Sequence, residues 1–104
     1  MGLSEVGRFS EPALFILVSL AEGPKHGYAM MEDIGRLRSA PIGAGSLYGA
    51  LGRLVARGWV EPLPAEDRRR PYRLTSAGLA VLRSEVAGLR ALVETGAARL
   101  AAAT

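Results

Sequence analysis

Between residues 42 and 75 the chain switches from a helical hydrophobic period to that of short strands, and the loop joining those strands ends in Arg68, Arg69 and Arg70. Residues 45–57 keep Leu47, Ala50, Leu51, Leu54 and Val55 on one face, at the spacings of a helix with a core stripe. The opposite face carries Ser46, Gly49, Arg53 and Arg57, which are small, hydrogen-bonding or cationic. Gly58 stops the helix. Trp59-Val60-Glu61 and Tyr72-Arg73-Leu74 then read as a clipped antiparallel pair, enclosing Pro62, Pro64, Glu66, Asp67 and the arginine run.

The rest of the chain is helical in pattern. Residues 1–9 lack periodicity and read as an N-terminal arm, with Ser10 as a candidate N-cap and Glu11-Pro12 suited to a first turn. The helix that follows, to about Ala21, is apolar on nearly every side at Leu14, Phe15, Ile16, Leu17, Val18 and Leu20. Such a helix needs burial all round, part of it against a second subunit in so small a domain. Glu22-Gly23-Pro24 ends it, and a second helix starts near His26 with Tyr28, Met31, Ile34 and Leu37 as its expected inward stripe. Thr75 is the expected N-cap of a last helix running from Ser76 to about Arg99. Leu79, Leu82, Val86, Leu89, Val93 and Leu100 recur along it at heptad spacing, with Gly96 filling one slot. The predicted fold is mainly α with a small β-hairpin: a winged helix-turn-helix over residues 10–75, then a dimerisation helix and tail over 76–104.

Composition narrows the function. The 104 residues, 49% of them apolar, support one modest core. There is no cysteine and a single histidine, so neither a disulfide framework nor a zinc site is expected, and no cofactor is called for. That histidine has no acidic neighbour in sequence, and no phosphate-binding glycine loop has the usual spacing, which argues against an enzyme. The longest apolar stretch, residues 13–21, falls short of the about 20 needed to cross a bilayer, and no cleavage site follows it cleanly, so a cytoplasmic protein is expected. Net charge is only +3, but residues 36–73 hold eight arginines against Glu61, Glu66 and Asp67. Basic charge gathered there fits a polyanionic partner; a solvated surface is the plain alternative.

Several local motifs resemble one known family. Leu20-Ala21-Glu22-Gly23-Pro24 with His26-Gly27-Tyr28, the run from Gly45 to Leu54, Gly58-Trp59-Val60-Glu61, and the run from Arg69 to Gly78 occur in the order found in the PadR-like family of bacterial transcriptional regulators. The match spans about residues 13–95. Gly49 departs from it, standing where the family often has proline, and Gly52 adds a second flexible point. The single C-terminal helix is like that of the family's short members. The resemblance implies a homodimer that binds an operator in double-stranded DNA and represses transcription, often in response to a small molecule.

Candidate residues follow from both readings. Ser46, Tyr48, Gly49 and Arg53 are expected in the major groove, where arginine reads guanine bidentately and serine reaches a base edge or phosphate; a solvated helix face is the alternative. Arg68, Arg69 and Arg70 are expected on phosphates or in the minor groove, and otherwise form a solvated loop. Lys25 is a candidate phosphate contact at a helix start, while His26 is expected to serve that helix start locally. Phe15, Leu79, Leu82, Val86, Leu89 and Val93 are expected to form the subunit interface, as an inverted-repeat operator would require. Phe15, Trp59 and Leu89 are candidates to line a site for a small apolar or aromatic ligand, although tryptophan on a strand more often packs. A DNA-binding regulator without an inducer, and a winged-helix protein-interaction module that has lost DNA binding, remain the alternatives.

Overall fold

The computed structural model describes residues 11–103, so the expected arm and Ser10 cap lie outside the described residues. The elements in chain order are α1 (Glu11–Leu20), β1 (Lys25–His26), α2 (Gly27–Arg38), α3 (Ala44–Ala56), β2 (Val60–Pro62), β3 (Pro71–Leu74) and α4 (Ser76–Ala103). α1 lies at the centre and packs against α2, α3, α4 and β3. The protomer accounts for part of its nearly all-round apolar sequence: Ile16, Leu17 and Leu20 are buried with Met30, Ile34, Leu47, Leu51, Leu54 and Val60, Leu14 and Phe15 are half-buried, and Val18 is exposed.

The inward face of α2 differs from the expected stripe. Gly27, Met30 and Ile34 are buried, whereas Tyr28 is 65% exposed and Leu37 is also outward. Counting in steps of three falls behind the helical turn by about 60° per step. A stripe drawn through Tyr28, Met31, Ile34 and Leu37 therefore slides off the core. α3 and its termination match the sequence reading to within one residue. Leu47, Ala50, Leu51 and Leu54 are its buried face. Gly58, at φ +78°, ends it in a Schellman motif, with the Gly58 amide donating to Val55 at 3.0 Å and the Trp59 amide to Leu54 at 3.1 Å.

The β component is a sheet of three strands, not a hairpin alone, in the order β1-β3-β2. Val60, Glu61 and Pro62 pair with Leu74, Arg73 and Tyr72, so the expected hairpin forms with its first strand one residue later than Trp59-Val60-Glu61. Trp59 belongs to the turn that ends α3, and Pro62 is in the strand and not in the loop. On the other edge of β3, Lys25 pairs with Tyr72 and His26 with Pro71, so the residues leading into α2 are tied to the wing.

Thr75 caps α4 as expected. Its Oγ1 accepts from the Gly78 amide at 3.0 Å and donates to the Gly58 carbonyl at 2.6 Å, which joins the end of α3 to the start of α4. Gly78 is required by proximity: a Cβ there would overlap the Trp59 carbonyl oxygen. The buried residues of α4, Gly78, Leu82 and Glu85, all lie in its first half. Leu82, expected on the subunit seam, is instead part of the protomer's own core, because the first turns of α4 pack on α1. Farther along, Val86, Val93 and Leu100 are exposed, the last two at 68% and 71%.

Two glycines separate these effects. Gly78→Ala is expected to destabilise the protein by about 1–3 kcal/mol, since rigid backbone faces the new methyl group. Gly52→Ala, with open space around it in a helix interior, is expected to stabilise by roughly 0.5–1 kcal/mol. Urea unfolding of both variants checks the contrast.

Candidate nucleic-acid interface

α3 presents Ser46, Tyr48, Gly49, Gly52 and Arg53 to solvent, and Arg57, its C-cap, is exposed beside them. The Arg53 side chain runs back along the helix, and its Nη1 lies 3.6 Å from where a Cβ on Gly49 would stand. Its charge therefore sits over the middle of the exposed face rather than at the helix end. Among the described residues Arg53 makes no ion pair. Arg57 is engaged differently, stacked 5.1 Å from the centre of the Trp59 ring. Trp59 has that face covered and packs against the core, so its ring is occupied by the fold and is a poor platform for a ligand. Phe15 also packs against the core.

The arginine loop is a tight hairpin tip. The Glu66 amide donates to the Arg69 carbonyl at 2.6 Å and the Arg69 amide to the Glu66 carbonyl at 2.7 Å. The two residues between them, Asp67 and Arg68, both have positive φ, +47° and +68°, as a type I′ turn demands. Asparagine-glycine or aspartate-glycine is the usual pair there, so arginine at the second position holds a backbone that glycine would adopt more readily. Arg70 donates to the Leu63 carbonyl across the hairpin at 2.9 Å. Arg69 Nη1 lies 3.4 Å from His26 Nε2, and His26 Nδ1 lies 3.4 Å from the Ala29 amide that it caps. Arginine only donates, and a neutral imidazole accepts at one nitrogen only, so His26 serves one of these partners at a time. The local role expected for His26 is thus observed, with the wing as a competing partner.

Lys25 is not placed as a phosphate contact. Its side chain is only 14% exposed, bonds to the Ser19 carbonyl, and pairs with Glu22 at 2.7 Å and Asp33 at 3.9 Å. Ser19 in turn donates to Asp33 at 2.7 Å. The ammonium is committed to fastening the end of α1 to α2. Arg73 is similarly paired with Glu61 across the strands at 2.5 Å, which removes it from the free cationic surface.

Two clefts join α3 to the wing. One, of about 270 Å³, runs along α3 past Tyr48, Gly52, Pro62, Arg70 and Tyr72. The other, of about 290 Å³, lies between the start of α2, Tyr48 and the wing arginines. Neither is lined by a carboxylate, whereas Glu66 and Asp67 line an adjoining cleft of about 770 Å³ between the wing and the start of α2, which shares His26 and Arg69 with the second. The helix face and the arginines are thus where the sequence places them. Tyr28 is not, and its position one residue after a buried helix-start glycine was the available sign.

The family profile described as transcriptional regulator PadR-like matches residues 16–84. A 37.1 kDa protein of transposon Tn4556 in Streptomyces fradiae is 44% identical over 78 residues; the match takes in 75% of this chain, which spans only 23% of that relative. Among solved structures, RosR of H. salinarum is 26% identical, with a TM-score of 0.72 and coverage of 92% of this chain and 96% of that one. A PadR family transcription regulator from Clostridium difficile shares the fold at 21% identity, with a TM-score of 0.77 and coverage of 88% and 99%.

Backbone strain at the wing tip gives a direct test. Arg68→Gly should leave stability unchanged or raise it, whereas Arg68→Val should cost about 1–2 kcal/mol because a β-branched residue is forced into the left-handed region. Thermal unfolding of the two variants distinguishes a formed type I′ turn from a loose loop, in which they would be alike.

Proposed function

The chain belongs to the PadR-like family of transcriptional regulators, and on that premise we propose that it is a homodimeric repressor that binds an inverted-repeat operator through α3 and the wing. The observation that carries this is the pair of clefts between the outer face of α3 and Arg68–Arg70, neither of which is lined by a carboxylate. In this reading Ser46, Tyr48, Gly49 and Arg53 enter the major groove, and the wing arginines hold phosphates. Residues 11–75 form the DNA-binding unit and α4 the dimerisation element. The protein acts in the cytoplasm and releases DNA when a small apolar or aromatic ligand binds where α1 meets α4, near Phe15 and Leu89. Trp59 contributes to the packing behind that site. A regulator without an inducer differs only in this last step.

Dimerisation is supported by Val86, Val93 and Leu100, an apolar row left uncovered on α4. Wild-type protein should run as a dimer in light scattering at micromolar concentration. Val93→Glu with Leu100→Glu should give a folded monomer, since neither side chain belongs to the protomer core. A wild-type monomer would sink the dimeric reading.

DNA binding is tested by sequencing fragments retained by the protein and measuring affinity against salt. Arg53→Ala should relax preference at one base pair per half-site, at a cost of about 1–3 kcal/mol. The triple change of Arg68, Arg69 and Arg70 to alanine should weaken binding to all sequences alike. It should also flatten the salt dependence by about 0.9 for each phosphate that the wing no longer neutralises. An unchanged slope would remove the wing from the interface.

A further inference from the structure

The cleft of about 290 Å³ between α2, α3 and the wing has a character of its own. Arg68, Arg69 and Arg70 enter it from the wing, Tyr48 from α3, Tyr28 from the first turn of α2, and Tyr72 from β3. Every one of these side chains can donate a hydrogen bond, and no lining residue is an acid. The notch is built by a close approach: a Cβ on the buried Gly27 would fall on the Tyr48 hydroxyl, so glycine there is what lets the α3 tyrosine reach the start of α2. Tyr28, the next residue, is the most exposed of the tyrosines, although its ring is apolar enough to suit a core.

We propose that this notch seats one backbone phosphate of the bound duplex, and that Tyr28 is a DNA contact whose hydroxyl donates to that phosphate. The proposal rests on the DNA-binding reading above and extends it to a third element, α2. A duplex phosphate fits better than a free anion because the notch lies between the two elements that reading places on DNA. The ionised phosphate oxygen makes an O–H···O bond from Tyr28 charge-assisted, which is the strong kind, and Arg69 beside it places a cation next to the same phosphate. Tyr28 itself is neutral, so it holds the phosphate without displacing a counterion, unlike the arginines around it.

The test compares wild type, Tyr28→Phe and the wing triple-alanine variant by fluorescence anisotropy. The anisotropy probes are a labelled random-sequence duplex at low salt and a labelled duplex selected by the protein, and binding of inorganic phosphate is read by titration calorimetry. Phenylalanine keeps the ring on an exposed position, so the fold is preserved. Tyr28→Phe should weaken binding about tenfold, by the same factor on both duplexes, with the salt slope unchanged. If wild type binds and the triple variant weakens while Tyr28→Phe binds as wild type does, the phosphate seat is wrong and the DNA reading stands. Failure of wild type to bind either duplex overturns both. Weakening confined to the selected duplex would make Tyr28 a base contact. Weakening confined to inorganic phosphate would assign the notch to a free anion. Either of these overturns the proposal.

Discussion

The relation between α3 and α4 depends on one backbone carbonyl, that of Trp59. It accepts from the Thr75 amide at 3.1 Å, and it occupies the space that any side chain on Gly78 would need. Thr75 adds a hydrogen bond to the carbonyl of Gly58, the residue that ends α3. The helix proposed to face DNA and the helix that carries the uncovered apolar row are thus joined through a few atoms of rigid main chain. Two protomers associated along α4 would hold their α3 helices at a fixed separation and attitude, which reading a two-fold operator requires.

The legible parts of the fold are those decided locally. α3, its stop at Gly58 and the Thr75 cap each depend on residues within a turn of one another, and a single sequence displays such relations directly. β1 is not legible: two residues, Lys25 and His26, carry no period, and their partners Tyr72 and Pro71 lie far along the chain. Tyr28 falls on the wrong face whenever a stripe of evenly spaced apolar residues is followed past the point where it leaves the core. The turn at Asp67-Arg68 lacks the glycine that normally announces it. Its geometry shows in the positive φ of both residues and in the paired bonds of Glu66 and Arg69.

Charge is legible as a total but not as a distribution. Arg36 lies near Asp33, Arg38 pairs with Glu11, Arg73 with Glu61, and Arg57 covers Trp59. Arg38, Arg57 and Arg73 are engaged by the fold, as Lys25 is, while Arg36 lies against a residue of its own helix. Of the eight arginines of residues 36–73, Arg53 and the three of the wing are left without an ion pair or ring contact among the described residues. The carboxylates of the wing line the cleft on one side of His26 and Arg69, and the tyrosines line the notch on the other. Tertiary pairing does this sorting, so no count along the sequence could have supplied it.

The pairing of Lys25 and His26 with β3 closes a loop over nearly half the chain with only two register pairs. A long loop closed by so little is late to form and early to open. With so few bonds between them, the strands can part while the helices stay packed. In amide hydrogen exchange the base of the wing would behave as its own unit, opening at a fraction of the global unfolding free energy. Each opening would release Arg69 from His26 and leave that histidine to cap α2 alone. The wing's arginines would then search for phosphates on the timescale of a two-pair strand, while the helix proposed to read bases stays in place.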